Sequence, residues 1–524
     1  MHHNKNIKKT ISPVISSPLN PTSPTKPPVI PITISNLFCF HYLTHPPLIR
    51  TPMALSLLPI LSLITILCIP SSSSQNTLKL SLIPITNQHI ATSQQSELES
   101  ETSHNPWIQK LNHLVSSSIS RAHHLKNPKE NHSADSYSAP LFPVGYGGYS
   151  VSLNFGSPAQ TLPFVMDTGS SLVWFPCTKR YTCYDCDFST GNQTVTPKFI
   201  PKLSSSAKII GCGNKKCGWV FGSTDRVQCN GKDTCPAYMI QYGSGSTSGL
   251  MLSETLKFSE GDVADFAVGC SIVSNRQPSG LAGFGRGPAS LPVQMGLKSF
   301  SYCLVSHRFD DTPVSSELVL TRGPSTSGVS DTTEDAGMSY TRFQKNPVSS
   351  GLAFKDYYYL TLRKITVGGK TVKIPYGFLV PGSDGNGGTI IDSGTTFTFM
   401  DDHVHNLVAT EFEHQLSKYT RAADVEQMSG LRPCFNVTGG KFPQFPELMF
   451  HFKGGAKLSL PVADYFSILG DTDALCMTVV SNKLIGSGPK NGPSIIIGNY
   501  QQQNIYLEYD LEKGRLGFKK QICK

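Results

Sequence analysis

FVMDTGSSLVWF, residues 164–175, returns in the second half of the chain as IIDSGTTFTFM, residues 390–400. Each copy runs from apolar residues into Asp, then Thr or Ser, then Gly, then Ser or Thr. The apolar run predicts a strand that delivers Asp167 and Asp392 to a dry site, and Gly169 and Gly394 permit a tight turn behind each. Thr168 and Ser393, followed by Ser170 and Thr395, offer hydroxyl and backbone donors to fix the carboxylates. Two carboxylates within hydrogen-bond reach cannot both ionise cheaply, so they share a proton over an acidic range. One then acts as general base on a water, and the other, protonated, polarises a peptide carbonyl. A lone Asp-Thr-Gly would read as an Asp in a strand-end turn. Two copies, one per half-chain, point to an internally repeated catalytic pair.

Outward from the first copy, YSVSLNFGSPAQTLPF alternates β-type residues, with Gly156-Ser157-Pro158 predicting a hairpin turn. A similar pattern, DYYYLTLRKITVGGKTVKIP at 356–375, precedes the second copy. The 524 residues exceed one ordinary domain, and 45 Gly, 37 Pro and only 15% charged residues predict a predominantly β protein with few helices. Residues 323–345, rich in Ser, Thr, Asp and Gly, predict a linker between an N-terminal lobe at 141–322 and a C-terminal lobe at 346–524.

The N-terminal third carries no such pattern. Residues 1–52 are rich in Pro, Ser and Thr and include Lys5, Lys8, Lys9, Lys26 and Arg50 without one acidic residue, which predicts a disordered leader. Translation from Met53 would make it an extension, and an organelle transit peptide is the rival reading. Residues 53–74 contain an apolar run at 55–69 followed by small residues, as in a secretory signal peptide. Residues 75–140 read as a prosegment, with Trp107, Ile108, Leu111, Leu114, Val115 and Ile119 marking a helical stripe. No later span is long and apolar enough for a membrane helix, and the polar C-terminus carries no lipid-anchor signal, so stable membrane insertion is not expected.

The formal charge of +9 falls mainly in the leader, and the basic residues beyond it form neither a run nor a nucleic-acid motif. They read as solvated surface, excluding a nucleic-acid partner. Of the fourteen cysteines, Cys39 and Cys68 precede the globular part and leave an even set from Cys177 to Cys523. Cys183-x-x-Cys186 permits a zinc reading, but behind a secretory signal six disulfides use the set completely, so no metal is expected.

These motifs resemble the pepsin-like aspartic protease family over about residues 146–524. YMIQYGSGSTSGLM matches the family's flap hairpin, which implies a flap at Tyr242 and Gly243, with Trp174 as the tyrosine's hydrogen-bond partner. Otherwise Tyr242 is a surface aromatic and Trp174 simply core. Leu281-Ala282-Gly283 and Ile496-Ile497-Gly498 match the triplets that cross beneath the two active-site loops. The cysteine-rich stretch after Cys177, SYCLVS at Cys303 and the terminal Cys523 are similar to the plant nepenthesin-type branch, which implies a Cys434–Cys476 disulfide. The saposin-like insert of another plant branch is absent.

The resemblance implies an all-β bilobal fold with its site in the cleft between lobes. It further implies a monomeric aspartic endopeptidase, active at acidic pH without a cofactor on protein or peptide substrates. Asn192 and Asn436 begin glycosylation sequons in the mature part. The expected location is the secretory route to the outside or cell wall, ahead of vacuole or plastid. The competing class is a pepsin-fold inhibitor or binding protein without catalysis, against which both Asp motifs stand intact. A basic residue of the prosegment is expected to pair with the carboxylates at neutral pH, with histidine charging adding repulsion on acidification.

Overall fold

The computed structural model describes residues 77–84, 106–126 and 147–524, except 187–196, 222–226, 307–314, 323–336, 348–351, 439–442, 483–491 and positions 230, 244, 260, 278 and 471. The leader, the signal segment, the junction at 127–146 between prosegment and N-terminal lobe, and Asn192 therefore lie outside the described residues. All described residues fall in one compact unit, Ser73–Lys524.

Strands dominate. The hairpin read at Gly156 forms between Tyr149–Phe155 and Gln160–Asp167, with a cis Ser157–Pro158 bond in the turn. Inward positions of the first strand, Tyr149, Val151, Leu153 and Phe155, are buried while Ser152 faces solvent, the period-two pattern of a half-buried strand. The triplet at Leu281 lies in the strand Gly280–Gly283, parallel to the end of Gln160–Asp167. Its counterpart Ile495–Ile497 lies parallel to Thr389–Ile391, which carries Asp392 at its end. Each lobe thus places its Asp at the C-terminal end of a strand braced by a parallel neighbour. The 15-stranded main sheet includes Ser299–Cys303 paired with Ile505–Asp510, so strands from both halves of the sequence share one sheet.

Two features differ from the sequence reading. Within the expected linker, Ser339–Arg342 is a strand paired with Arg515–Lys520, because Tyr340 and Thr341 supply β-type side chains between the polar residues. Thr77–Pro84, in the expected prosegment where only a helix was read, pairs along six positions with Ser316–Thr321 and then reaches Tyr149–Phe155. Its alternation of Leu78, Leu80 and Leu82 with Lys79 and Ser81 is the signal that would have shown it.

The helix expected at Trp107 runs from Pro106 to Lys126. Leu111, Leu114, Val115, Ile119, Ala122 and Leu125 are buried at most 3% exposed, against Phe354, Tyr357, Tyr359, Phe397, Phe399, Leu431 and Tyr500 of the C-terminal half. At about 1.5–3 kcal/mol for each large aliphatic side chain, this stripe is a substantial docking energy.

The twelve cysteines from Cys177 onward form six disulfides: Cys177–Cys270, Cys183–Cys186, Cys212–Cys229, Cys217–Cys235, Cys303–Cys523 and the expected Cys434–Cys476. The Cys303–Cys523 bridge spans 220 residues and ties the C-terminus to the shared sheet. Replacing both of these cysteines by serine is expected to lower stability by about 2–5 kcal/mol, read as a drop in the denaturant midpoint.

Candidate active site

Asp167 and Asp392 are buried, at 1% and 0% exposure, and meet across the two halves of the chain. Asp167 accepts hydrogen bonds from Gly169 N–H at 2.9 Å and Ser170 Oγ at 2.6 Å. Asp392 accepts the equivalent pair, from Gly394 N–H at 3.0 Å and Thr395 Oγ1 at 2.6 Å. The repeat in sequence has therefore become a repeat in geometry. Between the loops, Thr168 N–H donates to Ser393 Oγ at 3.1 Å and Ser393 N–H to Thr168 Oγ1 at 2.9 Å. Ser393 Oγ in turn donates to the Met166 carbonyl at 3.0 Å. This crossed lattice fixes the spacing of the carboxylates without using their own oxygens.

Glycine is obligatory here for space. A Cβ on Gly169 would lie 2.7 Å from Asp392 Oδ1, and one on Gly394 would lie 2.4 Å from Asp167 Oδ1. Any side chain at either position would drive the two loops apart.

The Pro106–Lys126 helix closes the site. Arg121 Nη2 donates to Asp167 Oδ1 at 2.6 Å and Arg121 Nε to Asp392 Oδ2 at 3.1 Å, so one guanidinium bridges both carboxylates. Arg121 lies seven residues after Leu114, which makes it a cation inside the apolar stripe, a pattern that could have singled it out from sequence. Two more contacts hold the helix end. His123 Nε2 pairs with Asn482 Oδ1, and the buried Lys126 lies 3.5 Å from Asp401 Oδ2 with its ammonium over the Phe399 ring.

Burial pushes Asp167 up to about 6 against the pull of Arg121, whereas for Asp392 the guanidinium, the Thr395 hydroxyl and the Gly394 N–H outweigh burial and hold it below the ordinary range. The pair accordingly takes its first proton on the Asp167 side. Burial, with Arg121 alongside, holds His124 down to about 3, and burial also lowers His123. His124 stays neutral until well below its usual range and His123 is lowered as well, so their charging comes later on acidification than the sequence suggested.

Tyr242 ends the strand Tyr238–Tyr242 and stacks on Trp174 with ring centroids 6.5 Å apart. The expected pairing of Trp174 with the Tyr242 hydroxyl is loose: the indole N–H favours the ionised phenol against burial, while neither atom makes a hydrogen bond of ordinary geometry. The helix accounts for this arrangement, since Tyr242 also packs against His124 and Gly243 lies on the Arg121 backbone. Tyr357, which the sequence did not flag, is buried beside Arg121 with its hydroxyl likewise unpartnered. Asn436 is exposed, with its side-chain oxygen engaged by Thr438.

Two buried, mutually braced carboxylates in a two-lobed β fold define a protein of the pepsin class. The comparisons agree. Family models described as xylanase inhibitor N-terminal and C-terminal match residues 149–320 and 357–520. A probable aspartyl protease of Arabidopsis thaliana is 31% identical over 73% of this chain and 83% of its own length. Nepenthesin-2 of Nepenthes gracilis is 32% identical over 75% of this chain and 81% of its own. Among solved structures, EDGP superposes with a TM-score of 0.54 at 20% identity, covering 72% of this chain and 92% of that one. Soybean basic 7S globulin gives 0.51 at 17% identity, with the same two coverages. The chain belongs to the plant nepenthesin-type branch of the pepsin-like aspartic protease family.

The contact between flap and helix yields a test independent of catalysis. A Cβ at Gly243 would lie 2.4 Å from Arg121 Cα and 2.7 Å from the Ser120 carbonyl oxygen. Gly243→Ala in the full chain is expected to speed hydrogen exchange across residues 111–126 by about tenfold, as local opening becomes about 1.4 kcal/mol easier. Unchanged exchange would mean that the flap does not clamp the helix.

Proposed function

We propose that the chain is a secreted aspartic endopeptidase, made as a self-blocked precursor and active at acidic pH on protein or peptide substrates. The observation that carries this reading is the complete, pseudo-symmetric set of donors around two buried carboxylates, Asp167 and Asp392. With one proton between them, one carboxylate accepts a proton from a water that attacks the peptide carbonyl, and the protonated partner donates to that carbonyl oxygen. Proton transfer to the amine leaving group then breaks the C–N bond. Tyr242 and Gly243 act as the lid over the substrate, with Trp174 behind the tyrosine. Neither a cofactor nor a metal enters this chemistry. The six disulfides suit an oxidising, secretory-route protein.

Residues 75–140 act as the prosegment. Arg121 occupies the place between the carboxylates that water and the scissile bond need. Because Arg121 pulls both carboxyl groups toward the ionised form, helix docking is favoured by the ionised pair. It weakens as pH falls through about 6, where Asp167 takes a proton, and further as Asp392 is protonated in its depressed range. Against the unfolded chain, Asp167 alone acts in the opposite sense. Its raised pKa makes its contribution fully present below the ordinary carboxylate range and lost as pH rises through about 6, which suits a protein that works in acid.

A second reading, a catalytically silent pepsin-fold inhibitor or binding protein, draws on the family models' description as xylanase inhibitor domains. It leaves the intact donor set and the guanidinium plug without a use. Asp167→Asn and Asp392→Asn, each purified folded after processing, are expected to lose about 10²-fold or more of pepstatin-sensitive turnover at acidic pH. Retention of a tenth of wild-type turnover by either would overturn the assignment. Arg121→Gln in the unprocessed chain should open the cleft to small peptides at a pH where the wild-type precursor is silent. Equal silence of both would remove Arg121 from the blocking role.

A further inference from the structure

Asp356 opens the second-lobe pattern, yet it packs beneath the active-site loop of the first lobe. The loop that follows Gly280–Gly283 is tied to the Asp167 turn, since Phe284 N–H donates to the Asp167 carbonyl at 2.7 Å and Gly285 N–H to the Ser170 carbonyl at 2.8 Å. Gly287 N–H donates to Ser171 Oγ at 3.1 Å. The second lobe grips the same loop: Arg286 N–H donates to the Asp356 carbonyl at 2.9 Å, and Tyr358 Oη to the Phe284 carbonyl at 2.9 Å. The Asp356 carboxyl has the Ser171 hydroxyl as hydrogen-bond partner. Both groups crowd Gly287, where a Cβ would lie 2.4 Å from Asp356 Oδ1 and 2.6 Å from Ser171 Oγ.

We propose that Asp356 is a positioning residue for the proteolytic reaction, holding the Asp167 loop in register with the second lobe through the Ser171 hydroxyl and the Phe284–Gly287 backbone. This rests on the proteolytic reading above. Asp356 touches neither carboxylate of the pair and acts only through the loop. Loss of the contact frees Ser171, and with it the turn that supplies Gly169 N–H and Ser170 Oγ to Asp167.

The contact also titrates. Burial pushes Asp356 up to about 6, with Ser171 and Lys355 pulling the other way. Tyr357 and Tyr358 also face it, both held neutral by burial, whereas the Arg286 guanidinium is turned to Asn346 Oδ1 at 2.5 Å. Below about 6 the carboxyl is neutral, and the half-buried contact with Ser171 carries no charge-desolvation penalty. As pH rises through that value it ionises, and the contact is strained open by the demand for hydration. Ionisation of Asp356 thus adds an upper pH limit to the positioning of the Asp167 loop, separate from the protonation of the catalytic pair.

The test compares processed wild type with Asp356→Ala, Asp356→Asn and Ser171→Ala on one peptide substrate from pH 2.5 to 8, as roughly half-unit steps. Asp356→Ala is expected to lower kcat about tenfold with KM within twofold. Asp356→Asn, permanently neutral and of the same shape, should recover acid kcat to within about threefold and move the upper limb of the kcat profile to higher pH by about half a unit or more. In the Ser171→Ala background, Asp356→Ala should cost less than half as much, the signature of a shared contact. Wild-type kcat and an unmoved upper limb in Asp356→Asn would overturn the inference, even where Asp356→Ala fails to fold. A wild type that shows no pepstatin-sensitive turnover at any pH overturns the proteolytic reading itself, and the positioning role with it.

Discussion

The crossed hydrogen bonds between Thr168 and Ser393 are the constraint from which the rest of this molecule follows. They fix two strand ends from opposite halves of the chain at a spacing that brings Asp167 and Asp392 together without drawing on the carboxylate oxygens. Buried carboxylates are costly, and the structure meets that cost with an N–H and a hydroxyl for each. What remains is an electrostatic demand for one positive charge or one proton between them. Arg121 supplies the first, and acid supplies the second.

This demand couples the site to the helix. An apolar stripe alone would dock Pro106–Lys126 equally well at any pH, because hydrophobic burial carries no charge. A guanidinium within the stripe makes docking depend on the ionisation of the carboxylates beneath it. Lys126 repeats the arrangement on a smaller scale against Asp401, with burial lowering its pKa and so weakening its hold on the charge. The helix thus combines a pH-insensitive grip with a pH-sensitive one.

Much of the candidate site was legible because its signals are local. The paired Asp motifs, the glycines behind them and the β alternation on either side depend on neighbours one to four residues away, and in the structure the two motifs lie side by side. The even cysteine set likewise pointed to bridges, although only Cys434–Cys476 was paired beforehand, by resemblance. Less legible were the features whose partners are distant. The strand Thr77–Pro84 finds its neighbour at Ser316–Thr321, and although a basic prosegment residue was expected at the carboxylates, that one guanidinium bridges both depends on how the two lobes meet. Trp174 and Tyr242 lie together as the resemblance implied, but the helix that presses on the flap, remote in sequence from both, could not be read as their neighbour.

By itself the sequence determined that this is a mostly β chain with a duplicated carboxylate turn, a preceding amphipathic helix and cysteines enough for six bridges. Periodicity, turn chemistry and residue type are properties of short stretches and survive without a fold. Only the tertiary structure decided which cation reaches the carboxylates, which carboxyl group holds its proton longer, and that Asp356 of one lobe underpins the loop of the other. Those outcomes depend on burial and on distances of about 3 Å between atoms that the sequence keeps far apart, and such distances exist only once the chain has closed on itself.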